Sequence, residues 1–126
     1  MIENFRSFVV GPDPFGRQWQ VIFLWQQNGI TIRHADTVDV KFELRQDGQM
    51  SEKVVALRHP DLLALSHKAG RPLTDAWVLK LGALHLRHMI ESDEDMDKTL
   101  VTASLEDLER HNSLLEEWQA EQAVQR

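Results

Sequence analysis

Residues 30–45 alternate with a two-residue rhythm. The even positions read Ile30, Ile32, His34, Asp36, Val38, Val40, Phe42 and Leu44; the odd ones read Thr31, Arg33, Ala35, Thr37, Asp39, Lys41, Glu43 and Arg45. Successive side chains of a strand point to opposite faces, so such a stretch has one face to bury and one to wet. The run is longer than strands usually are, and a bend or break is expected between residues 34 and 37.

Two turn dipeptides bracket it, Asn28-Gly29 and Asp47-Gly48. Each is a strong hairpin signal, because both central residues of a type I′ turn take positive φ. Residues 19–27 before the first are rich in aromatic and β-branched side chains, and residues 49–58 after the second return as a strand. Strands are thus expected over about 18–27, 30–45 and 49–58, with residues 5–10 offering a fourth. A two-residue turn at Asn28-Gly29 pairs Trp25 with Ile32, Phe23 with His34, Val21 with Asp36 and Trp19 with Val38, which puts Trp19, Val21, Phe23 and Trp25 on the apolar face. The second register stays open. Strict pairing sets Glu43 against Glu52, an unfavourable like-charge contact, whereas a slip of one sets it against Lys53.

The second half reads as helix. Asp61 can cap a helix over 61–69 with Gly70 just past its end, and Thr74 one over 74–91. The apolar residues of the longer helix, from Trp77 to Ile90, run almost all round the axis, the pattern of a central helix covered on most sides. Ser104 and Asp107 make a capping-box variant for a last helix over 104–120, with fraying expected past Ala120. The expected fold is α+β: one domain over 1–126, an N-terminal antiparallel meander of three or four strands, then two or three C-terminal helices on one face.

Composition narrows the chemistry. The chain of 126 residues has no cysteine, so disulfides, thiolate metal sites and cysteine nucleophiles are excluded. Net charge is −6, and the Lys and Arg residues are scattered, which disfavours nucleic acid as a partner. The N-terminus carries Glu3 and only a brief apolar run at 8–10, unlike a signal peptide, and no stretch is apolar enough for a membrane span. Cytoplasmic location is the expectation.

Three constellations are candidates for a site. His34 with Asp36, and His59 opposite Asp36 in the strict register, would form an acid–base pair at one end of the sheet; the competing reading is a His–Asp hydrogen bond that only satisfies two polar groups. His85 and His88, three residues apart on a helix with Glu91 continuing the row, have metal-ligand types and spacing; the competing reading is a pair of part-buried rim histidines. Asp93, Asp95 and Asp97 have the first spacings of an EF-hand loop, but Lys98 stands where a glycine is needed and Ser104 where a bidentate Glu belongs. No resident cofactor is expected, although these sets leave room for a divalent metal. Glycine-rich phosphate loops and nucleophile elbows are absent from the sequence.

Ile22 and Leu24, on the other face of the first strand, need a cover: a strand, a helix or a second subunit. The sequence therefore reads first as an interaction or accessory module, a homodimer with a further protein partner as an option. The competing reading is a small metal-assisted or acid–base enzyme built on the histidines.

Overall fold

The structure, a computed structural model, describes residues 2–31 and 34–124, with every side chain among them except those at 29–31, 34, 35 and 124. Five strands and three helices follow in the order β1 (Ser7–Val10), β2 (Trp19–Thr31), β3 (His34–Gln46), β4 (Gln49–Arg58), α1 (His59–Ala69), α2 (Asp75–Ser92), β5 (Leu100–Ala103) and α3 (Leu105–Val124). The strands form one sheet in sequence order; β1 to β4 are antiparallel neighbours, and β5 runs parallel to β4 after the α1–α2 crossover. The expected α+β architecture is present, with β1 as its fourth meander strand and β5 as a fifth.

β5 went unread. Four residues, Leu-Val-Thr-Ala, are too few to show a period, yet Val101 and Ala103 are buried opposite Val55 and Leu57. The connection after α2 is therefore part sheet, not wholly a solvated loop.

Residues paired across a ladder share a face, so the register sorts the side chains. Phe8, Val10, Val21, Val38, Val40, Phe42, Leu44, Val55 and Leu57 are all buried on one face. α1 and α2 lie against the strands on this side, and α3 rests on α1 and α2. α2 is central: Trp77, Leu81, Ala83, Leu86, Met89 and Ile90 are each at most 1% exposed. A Cβ at Gly82 would stand 3.3 Å from the Val40 side chain, so a glycine lets helix and sheet approach closely.

The first hairpin differs from expectation. Val21 faces Leu44 and Phe23 faces Phe42, while Asn28 and Gly29 lie inside the ladder opposite Val38 and Thr37. Thr31 faces His34, and residues 32–33 lie outside the described residues. The break expected at residues 34–37 is not a break in the strand: β3 runs on unbroken from His34, with only a register shift between the Gly29–Thr37 and Thr31–His34 pairs, and residues 29–31 belong to β2. Alternation alone permits any shift that keeps parity, and this one sets Phe23 edge-on to Phe42, centroids 6.2 Å apart, at the middle of the core. A bulge between Phe23 and Trp25 then flips the strand, so Trp25 faces Lys41 and leaves the core face.

The second hairpin takes the strict register. Asp47 (φ 51°) and Gly48 (φ 77°) form the positive-φ turn, and Glu43 does sit opposite Glu52. The like charges are relieved sideways, Glu52 bonding Lys41 at 3.0 Å and Glu43 bonding Arg45 at 3.0 Å.

Helix caps follow the sequence with one exception. Thr74 Oγ1 accepts from Trp77 N, Gly70 closes α1 at φ 65°, and Ser104 and Asp107 exchange their capping bonds. Asp61 is no cap: α1 begins two residues earlier, Arg58 holds the cap position without a side-chain bond, and Pro60 fits the first turn. α3 runs on to Val124, past the fraying point expected at Ala120.

Candidate functional site

The sheet-end constellation does not assemble as a strand pair. The β3–β4 ladder ends with Thr37 opposite Arg58. The next pair in that register would be Asp36 with His59, but His59 already opens α1, and the Asp36 side chain is exposed. The His34 side chain lies outside the described ones.

The α2 histidines do meet partners. His85 Nδ1 lies 3.2 Å from Nε2 of His111 on α3, with the rings tilted 66° and centroids 5.4 Å apart. His88 completes a triangle, 6.4 Å from His85 and 6.2 Å from His111. His111 escaped the sequence reading because α3 looked like a narrow Leu/Trp stripe; only its position three after Leu108 marks it as inward.

Burial is the main cause that holds His85 below the ordinary imidazole range, Asp107 opposing it and His88 and Arg110 adding to it. Burial, then His85 and Arg110, push His111 down to about 3. Two neutral imidazoles sharing one N–H···N bond satisfy each other inside the helix layer. Asp107 stands 4.0 Å from His85 Nδ1. Burial raises its pKa, but the Ser104 hydroxyl and backbone N–H outweigh that and keep it below the usual carboxylate value.

Glu91 does not join this group. Its carboxylate binds Arg87 at 2.5 Å, and His88 instead meets Glu94 at 3.3 Å. A groove of about 390 Å³ between α2 and α3 reaches His88 and His111 and is also lined by Arg87, Glu91, Arg110 and Glu117.

The three aspartates of the acidic segment diverge. Asp93 is the left-handed residue that ends α2 (φ 56°), and Asp95 (φ 55°) pairs with Lys98 at 3.0 Å. The backbone around them is tied down by Lys53 of β4. This lysine is 6% exposed, and its ammonium donates to the carbonyl oxygens of Met96 at 2.8 Å and Lys98 at 2.5 Å. Burial pulls its pKa down, countered by Asp97. A side-chain cation thus organises this segment. Among the described residues, no group of three or more His, Asp or Glu side chains is placed to hold a metal ion.

A fourth polar hub, Asp13, is structural. Its carboxylate accepts from the backbone N–H groups of Phe15 and Arg17, from Arg17 Nε at 2.7 Å and from Trp19 Nε1 at 3.0 Å. Desolvation raises its pKa, and these four donors outweigh it, holding the carboxyl far below its ordinary range. It locks the loop that leads from β1 into β2.

A further concavity lies elsewhere. β1 pairs with β2 only as far as Ile22, and Phe23 N donates to Arg6 O just beyond. Past that point a groove of about 930 Å³ opens along β2, between residues 3–6 and the first turns of α2. Phe5, Phe23, Trp25 and Leu79 give it apolar walls. Arg6 lies over the Phe23 ring at 5.4 Å and Lys80 over Phe5 at 5.6 Å. Gln26 reaches across to the carbonyl of Asp75 at 3.3 Å. Sequence reasoning missed this place, because the bulge that turns Trp25 off the core face leaves no trace in the alternation.

Of the two residues expected at an interface, Leu24 is 41% exposed and Ile22 is half-buried opposite Glu43. Among the described residues no helix lies across them; the helices lie on the other face. Comparison with protein-family models, with curated proteins and with solved structures finds no match.

Proposed function

We propose that this chain is a small cytoplasmic protein-interaction module that works by self-association through β2. The carrying observation is where apolar surface remains. Leu24 stands exposed next to Trp25, which lines the groove along β2, and Val9, Met50 and Leu100 are exposed on other strands of the same sheet. Exposed apolar surface beside a groove is the ordinary mark of a protein contact. The polar clusters, by contrast, are occupied internally: His85 with His111, Lys53 with two carbonyls, Asp13 with four donors. A cytoplasmic setting is supported by the absence of cysteine from the sequence and of any membrane-crossing helix among the described residues.

The test is molar mass by light scattering across a concentration series. The reading expects a mass rising toward twice 14.6 kDa; a constant single-chain mass up to hundreds of micromolar would sink it.

A second reading, acid–base or metal-assisted chemistry, is favoured by the groove that reaches His88 and His111. Titration with zinc followed by histidine NMR separates the two: shifts at His85, His88 and His111 at stoichiometric zinc would favour the enzyme.

A further inference from the structure

A strand at a sheet edge displays unpaired N–H and C=O groups, and proteins guard such edges with charges, prolines or brevity. β1 and β5, the outer strands by order, have four residues each. The end of β2 is different. Residues 25–28 pair with β3 on one side, Leu24 sits at the bulge, and among the described residues none of the five pairs with a strand on the other side. Their sequence, Leu-Trp-Gln-Gln-Asn, contains neither a charge nor a proline.

Electrostatics selects the occupant. A chain of net charge −6 repels its own copies, so two copies meet best where the surface is uncharged or self-complementary. The strip itself is uncharged. The groove beside it holds two cations, Arg6 and Lys80, and two acids, Glu3 and Asp75. None of the four has an ion-pair partner among the described residues. An interface about a two-fold axis uses the same patch twice and so needs a patch that complements itself. A foreign acidic strand would satisfy the two cations but meet the two acids.

We infer that a second copy of this chain pairs antiparallel along residues 24–28 of β2, joining two five-stranded sheets into one, with the cations of each groove facing the acids of the other. This rests on the self-association reading above and supplies its geometry: pairing along the strand edge, not stacking of the open sheet faces.

The absence of native cysteine makes the test clean. Single-cysteine variants Gln27→Cys at the edge, Met50→Cys on the open face and Leu63→Cys on α1 are treated with a short bismaleimide, with molar mass measured in parallel. The expected result is a dimer cross-linked efficiently through Gln27→Cys alone. Arg6→Glu with Lys80→Glu should weaken dimerisation tenfold or more while the far-ultraviolet dichroism and melting temperature stay unchanged. Gln27→Lys, a milder change that brings a like charge from each copy to the shared edge, should act in the same direction. A dimer that cross-links through Met50→Cys but not Gln27→Cys overturns edge pairing and leaves self-association standing. A chain that is monomeric at every concentration and cross-links nowhere overturns both. A purified monomer whose Gln27→Cys links to a different protein in the cell overturns the second-copy assignment.

Discussion

The two hairpins share β3 and carry the same kind of turn signal, yet they obey it differently. Asp47-Gly48 is the turn of the β3–β4 hairpin, with both φ values positive. Asn28-Gly29 is ladder, paired with Val38 and Thr37. The β3–β4 hairpin lies between β2 and β5 and under the helices, so its residues are fixed from several sides. The β2–β3 hairpin runs on past β1, bulges after Phe23 and, among the described residues, ends with no strand on its outer edge. A turn dipeptide decides a register only where the core is indifferent to it; where aromatic pairs compete, the core wins. On the self-association proposed above, the same difference separates the part of the sheet held by its neighbours from the part that would meet a second copy.

The comparison can be broken first at the residue both hairpins share. Phe42 is fully buried, with Phe23 and Lys53 as its neighbours across the two ladders. Phe42→Ala should cost about 3–5 kcal/mol in denaturant unfolding. A loss under about 1 kcal/mol would mean that the aromatic pair does not set the β2 register.

Acid should loosen the covered half before the free one. His85 and His111 have folded pKa values below the ordinary imidazole value of 6.5, that of His111 near 3. The unfolded state therefore binds more protons, so stability is fully present above pH 6.5 and is lost as pH falls from there toward the folded values. Between pH 7 and pH 5 the loss should be about 2 kcal/mol for His111 alone, read from melting at several pH values. His111→Gln should flatten that slope. An unchanged slope would show that the histidine pair is not the neutral bond described.

Next comes the pair of glycines. Gly48→Ala should cost about 1 kcal/mol, because alanine resists the left-handed region. Gly29→Ala, in the ladder opposite Thr37, should cost less. Equal costs would restore Asn28-Gly29 as a turn. The smallest effect belongs to Glu52→Gln, which removes the Lys41 ion pair at a half-exposed position and also the repulsion with Glu43. A change within about 0.5 kcal/mol is expected, and a larger loss would show the pair to be more than a surface contact.

Much of this architecture was legible. Period-2 alternation gave the central strand, Thr74 and Ser104 marked their helices, and the all-round apolar pattern of α2 announced its central place. The β2 register was not legible, because the even positions of β3 remain apolar under several shifts of equal parity. β5 was hidden by its length, and Asp61 gave way to Pro60 at the start of α1. At the candidate sites the sequence supplied residue types without their partners. His111, 26 residues from His85, and Lys53, more than 40 from the carbonyls it binds, are joined only by folding.

The most direct measurement is amide hydrogen exchange of residues 24–28, followed from low micromolar to several hundred micromolar protein. The account predicts fast exchange on the free edge when dilute, slowing together with a rise in molar mass, while the β3–β4 amides stay protected throughout. Exchange at residues 24–28 that is independent of concentration while dimer forms would contradict β2 as the contact strand.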